Sequence, residues 1–471
     1  MRLIPVYTWN KSVVSFNKRS NRLSKKPWFQ GVLLLLCVIG AMLLANLPFT
    51  KEFYHNFLHT DISLHLSSPD GLVNLSFPKG MSVEKVINDI LMVVFFFTVG
   101  LEIKREIAYG ELSSVKKALL PVIAAFGGVI APACIYTIVN HGTAAASGWG
   151  IPTATDIAFA VCILSVLGDK VPISLKVFLT ALAIADDLIA ILVVALFYGG
   201  SINLKLLAIA LVVILFTLLL RHLGEKKMFP YILMAIVVWV LFYYSGIHAT
   251  MSGVVMAFLI PSTPRYNKAY FKHKWAKYNE KLHEFDSFDD ELGFPNGPQR
   301  HFLRKLDHIA QGSMDMSYRV EHALSPWVNF LIMPIFALAN AGVEINDPSL
   351  FNIFSFGAAL GSVSMGIFLG LVLGKPLGIT LFSWLAIRLG VGEMPSGASW
   401  KMFFAVACLG GIGFTMSIFV DTLSFGEQAP QLMEHLRNAG KIAVLMGSIC
   451  AGVLGSILIS AVNKLESKKN N

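Results

Sequence analysis

The sequence predicts an all-α membrane protein whose chain crosses the bilayer about twelve times. Hydrophobic residues make up 55% of the 471 residues and charged residues only 14%. The mean hydropathy of +0.64 is too high for a soluble domain. A helical span needs about 20 residues, so twelve spans use about 240 residues and leave room for loops.

Apolar segments can be placed along the chain with boundaries good to several residues. In order, they cover 28–49, 84–107, 117–140, 151–167, 173–198, 203–222, 229–245, 247–261, 326–343, 356–386, 401–424 and 439–463. We treat residues 28–463 as one membrane domain. The first apolar run, Trp28 to Phe49, is too long for a signal-peptide core and lacks a small-residue cleavage site, so it is predicted to be a retained helix.

The distribution of basic residues predicts the orientation of the chain. The short loops near 142–150, 246 and 344–354 contain no Lys or Arg. The alternate loops carry Lys104, Arg105, Lys116, Lys117, Lys170, Lys176, Arg221, Lys226 and Lys227. Residues 1–27 are also basic and contain no acid. Both termini, including the tail 464–471, are therefore predicted to be cytoplasmic, and the net charge of +9 reflects this bias rather than nucleic-acid binding.

Two connections between spans are long. Residues 63–77, SLHLSSPDGLVNLSF, alternate apolar and polar residues around a Pro-Asp-Gly turn, which predicts a β-hairpin outside the cytoplasm. An isolated hairpin is only marginally stable, so this one is expected to rest on the bundle or on a second subunit. Residues 262–325 are charged and aromatic, which predicts a cytoplasmic excursion with some helix and an accessory role.

Two spans contain helix-breaking residues. GWGIPTATDIAFAV, residues 148–161, contains Asp156, and CLGGIGFTMSIF, residues 408–419, contains three glycines. Irregular backbone at membrane depth is tolerated only where it lines a cavity or is buried in protein. The alternatives are a helix that starts at Pro152 and glycines that serve close packing. The predicted fourth and eleventh helices run in opposite directions, and paired interruptions of this kind mark the site of an inverted-repeat transporter.

Two adjacent acids, Asp186 and Asp187, interrupt the apolar run TALAIADDLIAILVV. One aspartate at the centre of a span costs roughly 2.5–3.5 kcal/mol on an insertion scale, so such residues are functional candidates. Neighbours on a helix point about 100° apart, so one acid can face a cavity while the other meets a partner. A buried carboxyl poised to lose its proton is also a hard ligand for a small cation. The alternative is a structural pair satisfied by neighbouring helices.

Lys375 lies near the middle of the tenth predicted helix, in GLVLGKPLGITLF. A lysine there must be neutral or paired, and the buried carboxylates are its obvious partners. The stretch is not a nucleotide-binding loop, because Leu369 replaces the first glycine and Pro376 the Ser or Thr. The five cysteines lie in apolar runs without metal spacing, so no cofactor and no disulfide is predicted.

Charged residues also cluster at predicted helix ends, in VGLEIKREI and RVEHALSPW, residues 99–107 and 319–327. Such clusters are usually solvated helix ends. His248 lies at the outer end of the eighth helix, where a satisfied polar terminus competes with a pH sensor.

Together these motifs resemble the NhaA family of bacterial Na⁺/H⁺ antiporters. The likeness runs from about Trp28 to Val462 and rests on TATDIAFA, FLTALAIADDLIAILVVALFY, GIHATMSGV, FALANAGV, GKPLGI and GIGFTMSIF. This family is itself an established example of inverted repeats.

The resemblance implies twelve helices, with the fourth and eleventh unwound and crossing at mid-membrane, in a homodimer held partly by the outer hairpin. It implies a multi-pass protein of the bacterial cytoplasmic membrane that exchanges Na⁺, and also Li⁺, for a larger number of protons. Membrane lipid is the remaining expected partner. Residues 262–325 exceed the family's usual connection and enter the cytoplasmic region where the family places pH sensing, and the basic N-terminal segment is also longer.

The resemblance also assigns residue roles. It places cation binding on Asp186 and Asp187 and a proton-linked ion pair at Asp186 and Lys375. Helix-dipole compensation falls to Thr155 and Asp156. Activation at alkaline pH is associated with Glu102, Arg105, Glu106, His248 and Glu321.

Two other functions could use carboxylates inside a membrane. An intramembrane aspartyl protease needs aspartates on separate helices and a Gly-x-Gly-Asp element, but Val166 occupies the first glycine position in VLGD. A Na⁺-coupled solute symporter should show polar groups shaped for an organic substrate, and the sequence offers none.

Overall fold

Helices account for nearly all regular structure in the computed structural model of this chain. The structure describes residues 27–62, 64–67, 74–77, 81–200, 202–285, 297–345, 359–425 and 430–470. The predicted basic segment 1–27 therefore lies almost wholly outside the described residues.

The first half of the chain forms ten α-helices. They are α1 (Pro27–Asn46), α2 (Lys51–His59), α3 (Val83–Val86), α4 (Met92–Tyr109), α5 (Val115–Val139), α6 (Ile157–Leu167), α7 (Ile173–Phe197), α8 (Leu204–His222), α9 (Met228–Ser245) and α10 (Met251–Leu259). A π-helical turn, Ile87–Leu91, joins α3 to α4, and 3-10 helices cover Ala146–Thr153 and Gly168–Lys170.

The second half adds nine α-helices. They are α11 (Lys268–Phe285), α12 (Gly297–Ser313), α13 (Met316–Trp327), α14 (Met333–Asn340), α15 (Ala359–Leu369), α16 (Lys375–Arg388), α17 (Trp400–Leu409), α18 (Phe414–Ser424) and α19 (Pro430–Asn470). π-Helical turns at Val328–Ile332 and Gly370–Gly374 join α13 to α14 and α15 to α16.

The helices are long and apolar enough for a multi-pass membrane protein. Among the described residues, 10 helical segments could each cross a membrane, or 11 if the bent pair α17 and α18 is one span. The sequence predicts twelve spans. The difference arises at α10, which lies where the eighth span is predicted but has only nine residues. Apolar residues such as Ile209, Val212 and Leu215 lie exposed on α8, as expected for a surface that faces lipid.

Two short strands follow α2. Leu64–Ser67 (β1) and Asn74–Phe77 (β2) pair antiparallel, with Leu64 opposite Phe77. The Pro-Asp-Gly turn between them lies outside the described residues. The side of the membrane on which the strands lie stays a prediction.

Two helix boundaries differ from the prediction. The span predicted at 326–343 begins ten residues earlier, at Met316, because the Asp315 carboxylate accepts a hydrogen bond from the Tyr318 amide at 3.1 Å and caps α13. Pro326 lies inside this helix rather than at its start. At the other end of the chain, α19 continues through the predicted tail to Asn470.

Glycines bring α5 and α16 into close contact and so place Lys375. A Cβ atom added at Gly378 would lie 2.1 Å from the Gly127 carbonyl oxygen, a distance that no side chain can accommodate. The two backbones therefore meet directly, as small residues allow between membrane helices. Lys375 lies one turn before this contact, at the start of α16, and is fully buried.

Candidate functional site

Two breaks in the helical backbone meet inside the bundle. Residues 154–156 separate the 3-10 helix Ala146–Thr153 from α6, and residues 410–413 separate α17 from α18, which are bent by 53°. The Asp156 amide donates a hydrogen bond to the Ile412 carbonyl oxygen at 2.7 Å. The Thr155 hydroxyl lies 2.9 Å from the Gly410 carbonyl oxygen. Backbone groups freed by one break thus find partners in the other, as an apolar interior requires.

Asp156 joins the N-terminal ends of the two helices that follow the breaks. Its Oδ1 atom accepts hydrogen bonds from the Ala158 and Phe159 amides of α6 at 3.0 and 3.3 Å. Its Oδ2 atom accepts one from the Thr415 amide of α18 at 3.1 Å and another from the Thr415 hydroxyl. A negative charge at a helix N-terminus is favourable, and here one carboxylate serves two such ends.

Lys375, Thr155 and Asp186 form a buried group beside the breaks. The Lys375 Nζ atom lies 2.5 Å from Asp186 Oδ2 and also donates to the Thr155 hydroxyl. The Thr155 Oγ1 atom is 2.5 Å from the same carboxylate oxygen. The structure thus brings three of the predicted site residues together, from α16, the first break and α7. An ion pair of this kind is the expected state for a lysine that packing holds inside a membrane.

Asp187 is buried next to this group without a comparable partner. It is 4% exposed, and its Oδ1 atom has no hydrogen-bond partner among the described residues. The Oδ1 atom of Asp186 is also without a partner there. Carboxylate oxygens are ligands that hard cations prefer, so the two free oxygen atoms fit a small cation or a proton. The two acids differ as their 100° separation predicts, because only Asp186 meets Lys375.

A second charged cluster lies at the far end of α4. The Arg105 guanidinium forms ion pairs with Glu321 of α13, with Glu106 at 3.3 Å and with Glu102 at 3.8 Å. These four residues were singled out in the sequence, and the structure brings all of them together. Glu321 is only 6% exposed, so this cluster is not a fully solvated helix end.

His248 lies apart from the Arg105 cluster. Its Nδ1 atom is 2.9 Å from the Thr250 hydroxyl, and its ring packs edge to face on Phe419 with centroids 5.9 Å apart. His248 precedes the first residue of α10. At the opposite end of α10, the Lys104 ammonium donates a hydrogen bond to the Phe258 carbonyl oxygen at 2.9 Å. His248 and the Arg105 cluster therefore lie at opposite ends of α10.

Sequence reasoning missed two residues of this region. Thr415 bonds Asp156 through both its amide and its hydroxyl, but a threonine in an apolar span carries no distinguishing signal. Asp421 of α18 is fully buried. The rule that singled out Asp156 and Asp186 applies equally to this acid within a predicted span.

Fold and site together define an ion-transporting membrane protein, with buried carboxylates and one lysine beside two breaks in the helical backbone. Comparison with known sequences identifies the group more closely. The family model described as Na⁺/H⁺ antiporter 1 matches residues 21–459. The chain belongs to this family of Na⁺/H⁺ antiporters.

Relatives named Na⁺/H⁺ antiporter NhaA match over almost their full length. The protein of Sulfurimonas denitrificans is 40% identical over 435 residues, which cover 92% of this chain and 93% of the relative. That of Acidithiobacillus ferrooxidans is 41% identical over 435 residues, covering 92% and 95%. That of Helicobacter pylori is 39% identical over 446 residues, covering 94% and 96%. Membership in this family places the chain among transporters rather than enzymes.

Proposed function

We propose that this chain exchanges Na⁺ for protons at a site formed by Asp186 and Asp187, with Asp187 as the principal cation ligand. The proposal rests on the position of the buried Asp187 carboxylate next to the Lys375–Asp186 ion pair. One oxygen atom of that carboxylate has no hydrogen-bond partner among the described residues. Family membership supports the exchanged ions. Burial makes the charged carboxylate costly, so it must bind either a proton or a cation.

Competition between Na⁺ and protons would couple the two fluxes. Na⁺ bound by Asp187 neutralises one carboxylate, and a second oxygen ligand from Asp186 requires the Lys375 ammonium to move away or lose its proton. Proton release from both Asp187 and Lys375 on binding one Na⁺ would move net charge across the membrane. The exchange is therefore proposed to be electrogenic, and Li⁺, a smaller hard cation, to share the site.

The breaks are proposed to be the interrupted helices of an inverted repeat, crossing at mid-membrane. Asp156 offsets the positive ends of α6 and α18, whereas the Gly410 carbonyl, at the negative end of α17, lies against Thr155 and so close to Lys375. Because the partial charges at these helix ends are offset, the backbone can open and close around the carboxylates without leaving an uncompensated charge in the membrane.

The remaining features concern regulation and assembly. The Arg105–Glu321 ion pair ties α4 to α13, and Glu102 and Glu106 pair with the same guanidinium from within α4. Titration of this cluster is proposed to control activation by pH, with His248 contributing from the other end of α10. We also propose a homodimer held partly by the β1–β2 hairpin, in the bacterial cytoplasmic membrane, with both termini in the cytoplasm. The physiological role would be sodium and pH homeostasis.

The test is proton movement in proteoliposomes with an imposed pH gradient, recorded with a pH-sensitive dye on addition of NaCl, LiCl or KCl. NaCl and LiCl should collapse the gradient, and KCl should not. Asp187→Asn should abolish the response, because the amide can neither release a proton nor carry the charge that a cation needs. The matched control is Asp169→Asn, which removes an exposed acid of the 3-10 helix Gly168–Lys170 and should respond like the wild type.

Two results would overturn the proposal: no response of the wild type to Na⁺ across a wide pH range, or full activity of Asp187→Asn. Electrogenicity is tested separately in the same liposomes by imposing a membrane potential with K⁺ and valinomycin. The flux through an electroneutral exchanger would not change with that potential.

A further inference from the structure

A third buried carboxylate lies away from the Asp186 and Asp187 site. Asp421 is on α18, six residues beyond Thr415, and is fully buried. Neither of its carboxylate oxygens has a hydrogen-bond partner among the described residues. An ionised carboxylate cannot remain buried in this way without compensation, so Asp421 must either hold a proton or be paired with a cation.

Two cations face Asp421 from α19. Lys441 is 9% exposed, and Arg437 lies one turn before it on the same helix. The Arg437 guanidinium donates to the Thr422 carbonyl oxygen at 2.6 Å, whereas its Nε atom is buried without a partner within the described part of the chain. Lys441 and Arg437 both act on the Asp421 carboxylate electrostatically, without a hydrogen bond to it.

Gly440 allows the carboxylate to rest against α19. A Cβ atom added at Gly440 would lie 2.0 Å from Asp421 Oδ1 and 2.9 Å from its Cγ atom, so any larger residue would push the side chain aside. The carboxylate therefore packs on bare backbone, between Arg437 and Lys441 in the sequence of α19.

A cavity connects this pair of helices to one end of the bundle. Its volume is about 410 Å³, and its lining includes Thr422, the residue after Asp421, with Arg437 and Lys441 of α19, but not Asp421 itself. His55 and His59 of α2 and the acids Glu84, Glu344 and Glu434 also line it. Both the β1–β2 hairpin and α2 lie at this end of the chain's spans, so the cavity opens on the hairpin side of the membrane.

We propose that Asp421 is a second proton-binding site, which exchanges protons with water in this cavity and alternates between a neutral form and an ionised form paired with Lys441 or Arg437. This proposal rests on the proposed Na⁺/H⁺ exchange and adds to it a proton site that the Asp186 and Asp187 pair does not include. Asp421 does not line the cavity, so water reaches it only when the Lys441 or Arg437 side chain moves. A proton then passes from that water to a carboxylate oxygen, which leaves the Lys441 ammonium facing Glu84. Its release returns the proton to water, and the ammonium pairs with the carboxylate.

Other titratable groups near the carboxylate do not replace it in this role. Tyr136 of α5 and Tyr198 at the end of α7 interact with Asp421 electrostatically. Their hydroxyls donate to the backbone carbonyls of Ala145 and Ser147, at 2.8 and 2.9 Å. At the rim, Glu344 is engaged by Lys51 and His55 at 2.8 and 2.7 Å. Asp421 is therefore the one acid at this contact, among the described residues, that is both fully buried and unpartnered.

The ionised form would tie α18 to α19 at both ends. At the break, the Ser448 hydroxyl oxygen of α19 accepts hydrogen bonds from the Gly413 and Phe414 amides at 3.2 and 3.1 Å. At the other end, Arg437 bonds the Thr422 carbonyl. Protonation of Asp421 would weaken the contact at that end only. The pH of the hairpin-side compartment would then govern how firmly the second half of the broken span is held.

The experiment varies the pH of one compartment at a time in vesicles of known orientation that contain the full chain. Na⁺-driven proton flux is measured while the hairpin-side pH changes and the other side stays fixed. The wild type should show a step in flux that depends on the hairpin-side pH. Asp421→Asn should lose this step but keep Na⁺-driven flux and its dependence on the pH of the other side.

Two further variants separate a proton site from a mere structural tie. Lys441→Gln should move the midpoint of the step to higher pH without abolishing it, because a cation that favours the ionised form has been removed. Glu52→Gln removes an exposed acid of α2 that does not line the cavity and should leave the step unchanged. A wild-type step retained in Asp421→Asn, or unmoved in Lys441→Gln, would overturn the inference, whereas absence of any Na⁺-driven flux in the wild type would instead defeat the proposed exchange.

Discussion

Lys375 and Asp186 form an ion pair in the interior of the helix bundle, with Nζ 2.5 Å from Oδ2 and both side chains at most 3% exposed. Such a pair adds little net stability, because desolvating two charges offsets their attraction. Losing only one partner is a different matter, since the other charge then remains buried and uncompensated. The pair is therefore better explained by function than by stability, and it makes each residue dependent on the other.

The first prediction concerns stability. Lys375→Met should lower the melting temperature of the purified protein clearly, because removing one partner of a buried ion pair costs about 3–5 kcal/mol. The double variant Lys375→Met with Asp186→Asn should melt closer to the wild type, since no charge is then left alone. Lys401→Met, at an exposed lysine of α17, is the matched control and should melt like the wild type. Equal melting of Lys375→Met and Lys401→Met would contradict the buried pair.

The second prediction concerns the contact between the two breaks. Thr415→Val removes the hydroxyl that donates to Asp156 but keeps the amide that does so. A hydrogen bond to a charged group is worth about 1.5–3 kcal/mol, so the variant should melt lower and transport Na⁺ more slowly. Thr415→Ser, which retains the hydroxyl, should restore both properties. The exposed Thr263 provides the control as Thr263→Val. A Ser variant as impaired as the Val variant would point to packing rather than to the hydrogen bond.

The sequence predicted the ionisable residues of the site better than the groups that bond to them. Asp156, Asp186 and Lys375 could be singled out because an ionisable group in an apolar span is conspicuous and needs a partner. The 100° step between neighbours on a helix also predicts that Asp186 and Asp187 face different surroundings, and only Asp186 meets Lys375. Contacts between backbone groups, such as that of the Asp156 amide with the Ile412 carbonyl, cannot be predicted from residue type. They depend on where two breaks meet in space.

Boundaries failed where a local cap outweighed the apolar pattern. The span that includes Pro326 was expected to start there, since proline favours the first turn of a helix. Asp315 instead caps α13 eleven residues earlier, and the polar first turns of that helix carry Arg319 and Glu321. A hydropathy pattern cannot register such turns, because they lie beyond the apolar part of the span.

The third prediction tests the close approach that positions Lys375. Gly378→Ala adds a methyl group where the Gly127 carbonyl oxygen would lie 2.1 Å away, so α5 and α16 must separate. We expect a lower melting temperature and reduced Na⁺-driven flux, because the start of α16 carries Lys375. Gly40→Ala is the control, since a Cβ atom at Gly40 meets nothing within 4 Å. If both alanine variants matched the wild type, the helix crossing would be looser than the structure indicates.

The last prediction concerns the insert formed by α11 and α12. These helices pack chiefly on each other, and Tyr278 and Phe302 meet at 5.3 Å between ring centroids. Where the insert joins the bundle, the Tyr266 amide donates to the Gly312 carbonyl oxygen at 2.9 Å, so the two ends of the insert are already adjacent. Deletion of residues 268–310 should therefore leave a chain that folds and still exchanges Na⁺ for protons.

The deletion should nevertheless shift the pH dependence of transport. The insert supplies His308 to a cavity that it shares with Lys226 and Arg319, and Arg319 lies two residues from Glu321 on α13. Removing cations near this cavity changes the electrostatic potential at the Arg105 cluster. Salt screens such an interaction only weakly when the charges are buried or partly buried. Flux measured from pH 6 to 9 would reveal the shift, and His308→Gln in the intact chain should reproduce part of it. An unchanged profile in the deletion variant would show that the insert has no regulatory role, whereas loss of all flux would show that it is needed for the fold.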